Sequence, residues 1–238
     1  MSVPHGSGKP VDCLSLMGVC AIILRSGPFQ RYWIFETNPM SAALKWNLVS
    51  VEDYLAGELE SPIKHEYVGG VVYAMAGARN RHNRIATYTL TSLGARLRGK
   101  PCEPYNSDTK IRIRLPSHTR FYYPDASVVC RSNSDDDSYQ DDPAVIAEVL
   151  SRRTRRIDDG EKKDAYLTIP SLNVYMLIEQ DAPLVQVYRR TEAGFVREVY
   201  EGLDAVIPLG EIDIVLPLVE IYSRIEFVPE PSDDDDEE

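Results

Sequence analysis

From residue 50 onward the alternation of apolar and polar positions resolves the chain into short elements. Ser50 followed three residues later by Asp53 has the form of a capping box and predicts a short acidic helix through about Leu59. Glu66-Tyr67-Val68 and Val71-Val72-Tyr73, split by Gly69-Gly70, predict a tight hairpin. Asn80 to Arg98 places Ile85, Tyr88 or Thr89, Leu93 and Leu97 on one side at intervals of three and four, so it reads as an amphipathic helix that Gly99 ends. Lys110 to Leu115 alternates strictly, which puts Ile111, Ile113 and Leu115 toward a core and the cations on the other face of a half-exposed strand. Phe121 to Cys130 predicts a further strand whose internal Pro124 requires an irregularity at Asp125.

Val145-Ile146-Ala147-Glu148-Val149-Leu150 is almost wholly apolar, the mark of a strand covered on both faces. Asp158 to Ile169 predicts a helix stopped by Pro170, and Asn173 to Ile178, Leu184 to Tyr188 and Phe195 to Tyr200 predict strands. Two late segments, Ile212 to Leu216 and Leu218 to Phe227, close a single mixed α/β domain over residues 40–228. Residues 1–39 lack any sustained period and read as an irregular extension from an upstream start, with Met40 opening the patterned chain. Gly6-Ser7-Gly8-Lys9 is too incomplete to be a phosphate loop. Residues 229–238 read as a disordered acidic tail.

Charge changes this picture. The 238 residues carry 26 Lys and Arg against 37 Asp and Glu, a net charge of −11, which argues against a simple polycationic coat for nucleic acid. Five aspartates between Ser132 and Asp142 and six acids from Asp233 to Glu238 account for that whole excess. The stretch Arg79 to Arg120 holds ten Lys and Arg against Glu103 and Asp108, a surface on which a polyanion could dock or which simply solvates a helix and a strand. The four cysteines form no C-x-x-C pair and have no nearby His at ligand spacing, so neither zinc nor a disulfide framework is indicated and a reducing, cytoplasmic setting is expected. The apolar run Cys13 to Leu24 is well short of the ~20 residues that span a bilayer. No membrane span is expected.

Glu148 carries the most chemical information, because an ionised carboxylate inside an apolar strand is costly unless it is paired or binds a metal. Asp125, beside the proline on the neighbouring predicted strand, could converge on it to offer the hard oxygen ligands that Mg²⁺ prefers. The alternative places Glu148 at a strand rim in water. Asp158, Lys162 and Tyr166 fall on one helical face, either as an ordinary surface ion pair or with the lysine directed back toward the strands.

Tyr122-Tyr123-Pro124-Asp125-Ala126-Ser127-Val128-Val129, the acidic interval, Ala147-Glu148-Val149-Leu150-Ser151, Thr154, Asp158-Asp159-Gly160-Glu161-Lys162 and Tyr166 together resemble the PD-(D/E)XK nuclease superfamily, and within it the bacterial branch of restriction-endonuclease-like proteins long catalogued as a domain of unknown function. The likeness runs from about Ser50 to Tyr222. It implies a restriction-endonuclease-like α/β fold, a mixed central sheet flanked by helices, and a Mg²⁺-dependent endonuclease hydrolysing DNA, with Mn²⁺ as a substitute. The same fold without activity, a nucleic-acid-binding or structural module, is the alternative. Asp125 and Glu148 would be the metal ligands. The superfamily usually has Lys two residues after that Glu, where this chain has Leu150. The resemblance therefore moves the catalytic cation to Lys162, with Lys163 as fallback. Glu66 would add or orient a ligand, and His82 would lie near the substrate or merely pack. Arg152, Arg153, Arg155 and Arg156 would hold the DNA backbone, or form a solvated loop. A homodimer is compatible with nucleases that cut both strands.

Overall fold

The computed structural model describes residues 48–152 and 154–227. The irregular extension, the apolar run Cys13 to Leu24, the start proposed at Met40, Arg153 and the acidic tail lie outside the described residues. Three of the expected elements form nearly as read. Helix α1 spans Val51–Glu60, with the Ser50 hydroxyl accepting from the Asp53 amide at 3.0 Å. Strands β1 (His65–Val68) and β2 (Val71–Ala74) form the hairpin, whose turn needs positive φ at Gly69 and Gly70. Helix α2 (Asn80–Leu97) buries Ile85, Thr89, Leu93 and Leu97, and Gly99 leaves it at φ 78°.

The expected strand from Phe121 to Cys130 is two strands in two different sheets. Strands β4 (Lys110–Arg114) and β5 (Thr119–Tyr122) belong to a five-stranded sheet of order β2-β1-β5-β4-β7, in which β7 is Tyr139–Gln140. Strand β6 (Ala126–Val129) instead pairs between β3 (Glu103–Asn106) and β8 (Pro143–Val149). Pro124 has no amide hydrogen to give a ladder, so the chain leaves one sheet and enters the other at Tyr123-Pro124-Asp125. The second sheet has order β11-β10-β9-β8-β6-β3, with β9 (Val174–Ile178) parallel to β8 and with β10 (Leu184–Thr191) and β11 (Gly194–Glu201) antiparallel beyond it. Strands β12 (Val206–Leu209) and β13 (Ile214–Pro217) form a separate ribbon.

Alternation along β8 explains the two main cores. Val145, Ala147 and Val149 pack with Ile85, Leu93 and Leu97 of α2 and with Leu218 and Ile221 of α5 (Leu218–Ile221). Ile146 and Leu150 pack with Ile111, Ile113 and Tyr122 of the first sheet, and with Ala165 and Tyr166 of α4 (Lys163–Tyr166). Glu148 shares that second face, between the sheets. The other face of the first sheet is covered by α1 through Tyr54, Tyr67 and Phe121.

The structure departs from three further expectations. The segment read as one helix from Asp158 to Ile169 begins earlier, as α3 (Arg155–Ile157). It then passes through a π turn over Asp158–Lys162 that is kinked at Gly160, whose φ −126° and ψ −107° are not helical, and ends as α4. Lys110 is buried rather than solvent-facing, because α1 and the acidic loop cover its side of β4. Cys102 and Cys130 form a disulfide, since the antiparallel register Glu103↔Val129 makes them the next facing pair. Sequence spacing held no sign of that pairing because β3, an unpatterned Glu-Pro-Tyr-Asn, was not recognisable as a strand. Among the described residues no helix is long and apolar enough to cross a membrane.

Candidate active site

The corner at Pro124 and the face alternation of β8 direct acids into the same space. Asp125 Oδ2 accepts the Val149 amide at 2.7 Å, which ties the corner to the strand that carries Glu148. His82, near the start of α2, brings its Nε2 to 3.1 Å from the same oxygen. The neighbouring Asp125 carboxylate holds the His82 imidazolium above its usual range, although burial alone would lower it. Lys162, which the π turn points inward, lies 2.6 Å from Glu66 Oε1, 3.6 Å from Asp158 Oδ1 and 4.0 Å from Glu148 Oε1. The contact with Glu66 is close but not aligned as a hydrogen bond. The ammonium also sits 5.3 Å from the centre of the Tyr122 ring.

The cluster is buried and rich in negative charge. Glu148 is only 4% exposed, and Asp158 and Lys162 are also buried. Burial pushes the Glu148 carboxyl well above the ordinary range; Lys162 pulls it down, while Asp158, Asp125 and Glu66 push it up further. Burial likewise raises Asp158 against the pull of Lys162. For Lys162, burial alone would favour the neutral amine, but Glu148, Glu66 and Asp158 together hold it protonated. Three carboxylates, Glu66, Glu148 and Asp158, therefore surround one lysine, and Glu148 Oε1 has no hydrogen-bond partner among the described residues.

Of the residues singled out from sequence, Glu66, His82, Asp125, Glu148 and Lys162 come together. Lys163 does not: it faces away, 2.9 Å from Asp159 and over the Tyr188 ring. Arg152 is fully in solvent near Asp181, Arg156 is exposed, Arg153 lies outside the described residues, and Arg155 is engaged by both oxygens of Glu179. The basic stretch is largely consumed within the fold, with Arg96 on Glu220, Lys100 on Asp213, Arg112 on Asp141 and Arg120 on Glu161. Sequence reasoning placed Asp158 only in a motif or a surface pair; its burial beside Glu148 follows from the π turn, for which Gly160 was the available sign. Tyr166, whose buried hydroxyl lacks a partner among the described residues, closes the floor of the cluster.

Two sheets meeting at a buried acid and lysine cluster, with helices on their outer faces, define a restriction-endonuclease-like fold. Residues 51–216 match the model of the Uma2 family, described as "Putative restriction endonuclease", and the chain belongs to that family. Two Synechocystis proteins are similar over much of their length. Uncharacterized protein slr1290 is 33% identical over 61% of this chain and 76% of its own, and uncharacterized protein sll1609 is 30% identical over 60% and 81%. A crystal structure described as a putative nuclease belonging to DUF820 from Anabaena variabilis shares the fold. Its TM-score is 0.57 at 18% identity, over 71% of this chain and 97% of that one.

Proposed function

We propose that this endonuclease-family protein hydrolyses phosphodiester bonds in DNA with the help of a bound Mg²⁺ or Mn²⁺. The observation that carries the reading is the buried Glu148 oxygen without a partner among the described residues, set among Asp125, Asp158 and Glu66 with Lys162 to balance them. Such a surplus of hard, anionic oxygens is what a divalent ion would satisfy. Among the described residues no three His, Cys, Asp or Glu side chains already stand in a metal-binding arrangement. The donor chemistry nonetheless fits, with Asp125 and Glu148 as the residues that would hold the ion. Such an ion supplies Lewis-acid charge and a more acidic bound water.

The chain's own residues do the rest. Glu66 and Asp158 fix the Lys162 ammonium beside Glu148, where it can neutralise charge that builds on the phosphate as water adds and the bond to the leaving oxygen breaks. His82 and the Val149 amide hold the Asp125 carboxylate in one orientation. Lys162 thereby takes the place that Leu150 leaves empty in the sequence motif, which favours an active enzyme over an inactive module. Arg152 and Arg156, exposed beside the π turn, are the cations offered to the DNA backbone. The test is incubation of supercoiled plasmid with the purified chain in Mg²⁺, Mn²⁺ or EDTA. Metal-dependent nicking by wild type and background alone with Asp125→Ala supports the proposal; equal traces for the two proteins overturn it.

A further inference from the structure

On the face of the first sheet turned away from the acid and lysine cluster, α1, the start of β4 and the acidic loop line an open cavity of about 490 Å³. That volume lies within the range of small-molecule sites. Its inner wall holds Lys110, a lysine only 3% exposed. Among the described residues no carboxylate lies within 4.0 Å of its ammonium, and its one hydrogen bond runs 3.3 Å to the Tyr123 hydroxyl. Tyr123 in turn donates to Glu58 at 3.2 Å, and Glu58 also accepts the His65 amide at 2.8 Å. The nearest acid is thus already committed. A buried ammonium with open donor positions facing a cavity is costly unless an anionic acceptor reaches it. Burial accordingly draws the Lys110 amine below its usual range, and Glu58 restores only part of this.

The mouth has the opposite charge. Parallel pairing of Lys110 with Tyr139 and Ile111 with Gln140 anchors the acidic loop beside Lys110, and exposed Asp135 and Asp137 line the opening. Lys64, also at the wall, is paired with Asp108 at 3.0 Å, so it does not cancel those two charges. A purely anionic ligand would be repelled at the entrance and a purely cationic one would meet Lys110 at the end. We propose that this cavity binds a small zwitterion of the amino-acid type, its carboxylate taken by the Lys110 ammonium and its own ammonium by the Asp135 and Asp137 rim. The site is independent of the nuclease reading and assigns a role to the acidic loop, which that reading leaves unused.

The experiment is calorimetric titration of the full chain with glycine, β-alanine and γ-aminobutyrate, against propionate and propylamine as single-charge controls. Saturable binding of at least one amino acid is expected, with either control about tenfold weaker or more. Lys110→Met, which keeps the volume and removes the charge, is expected to weaken binding at least about tenfold while the protein stays folded. Asp135→Asn with Asp137→Asn, on an exposed loop where folding is not at stake, is expected to weaken the amino acid and strengthen propionate. Absence of saturable binding by all three amino acids, propionate binding as tightly as they do, or unchanged affinity in the loop variant overturns the proposal.

Discussion

Replacing Glu148 by Gln should stabilise the protein, and do so more at high pH than at low. In wild type the carboxylate is buried between two sheets, one oxygen lacks a partner among the described residues, and Asp125, Asp158 and Glu66 all repel its charge. Among the described residues Lys162, at 4.0 Å, offsets this, and that lysine keeps Glu66 at 2.6 Å and Asp158 at 3.6 Å when Glu148 is neutralised. Removing a buried, unsatisfied charged group of this kind relieves about 1–3 kcal/mol. For a chain of this size that is a rise in Tm of roughly 2–12 °C. The sign with pH follows from the raised carboxyl. The folded state holds the proton more tightly than the unfolded chain, so wild-type stability falls as pH rises from about 4.5 toward the folded value. The variant has no such term at this position. Thermal melts in EDTA should therefore show a gain that is small near pH 4 and large near pH 8. A variant that melts at or below wild type near pH 8, or differs from it equally at both ends, refutes the reasoning.

Other perturbations have equally definite signs. Lys162→Met leaves the buried Glu148 and Asp158 and the half-buried Glu66 without their cation, so urea denaturation should show a loss of about 3–5 kcal/mol along with lost nicking. Burial alone would raise the Asp141 carboxyl, but its paired bonds from Arg112, at 2.7 and 2.6 Å, carry it below the usual range. This pair should contribute roughly 1–2 kcal/mol above about pH 4 that is lost as pH falls through the depressed value, and Asp141→Asn should flatten that acid limb in pH-dependent melts. Reducing Cys102–Cys130, which closes a loop of 28 residues, should cost about 3–4 kcal/mol, read as a lower Tm with dithiothreitol than without.

Local chemistry made much of this fold legible. The Ser50 cap, the Gly69-Gly70 turn and the three-and-four spacing of α2 are set by residues within one element, and each is visible without knowing the neighbours. The split at Pro124 was visible only as an irregularity, because a missing amide hydrogen says that a ladder breaks but not which sheet receives the continuing chain. The three members of the cluster read from motifs, Asp125, Glu148 and Lys162, meet because the corner, the buried strand and the π turn converge. Asp158 was hidden because i, i+4 spacing describes a regular helix, whereas the bend at Gly160 turns both Asp158 and Lys162 inward. Lys110 misled in the opposite direction: alternation along β4 gives its face, but only the tertiary cover of α1 and the acidic loop makes that face buried.

The most direct test of the central claim is calorimetric titration of Mn²⁺ into the full chain, wild type beside Asp125→Ala and Glu148→Gln. One divalent-ion site in wild type, lost or weakened at least about tenfold in each variant while both remain folded, is the predicted result. Wild-type uptake that neither substitution alters, or no uptake at all, contradicts the reading of these acids as a metal-holding pair.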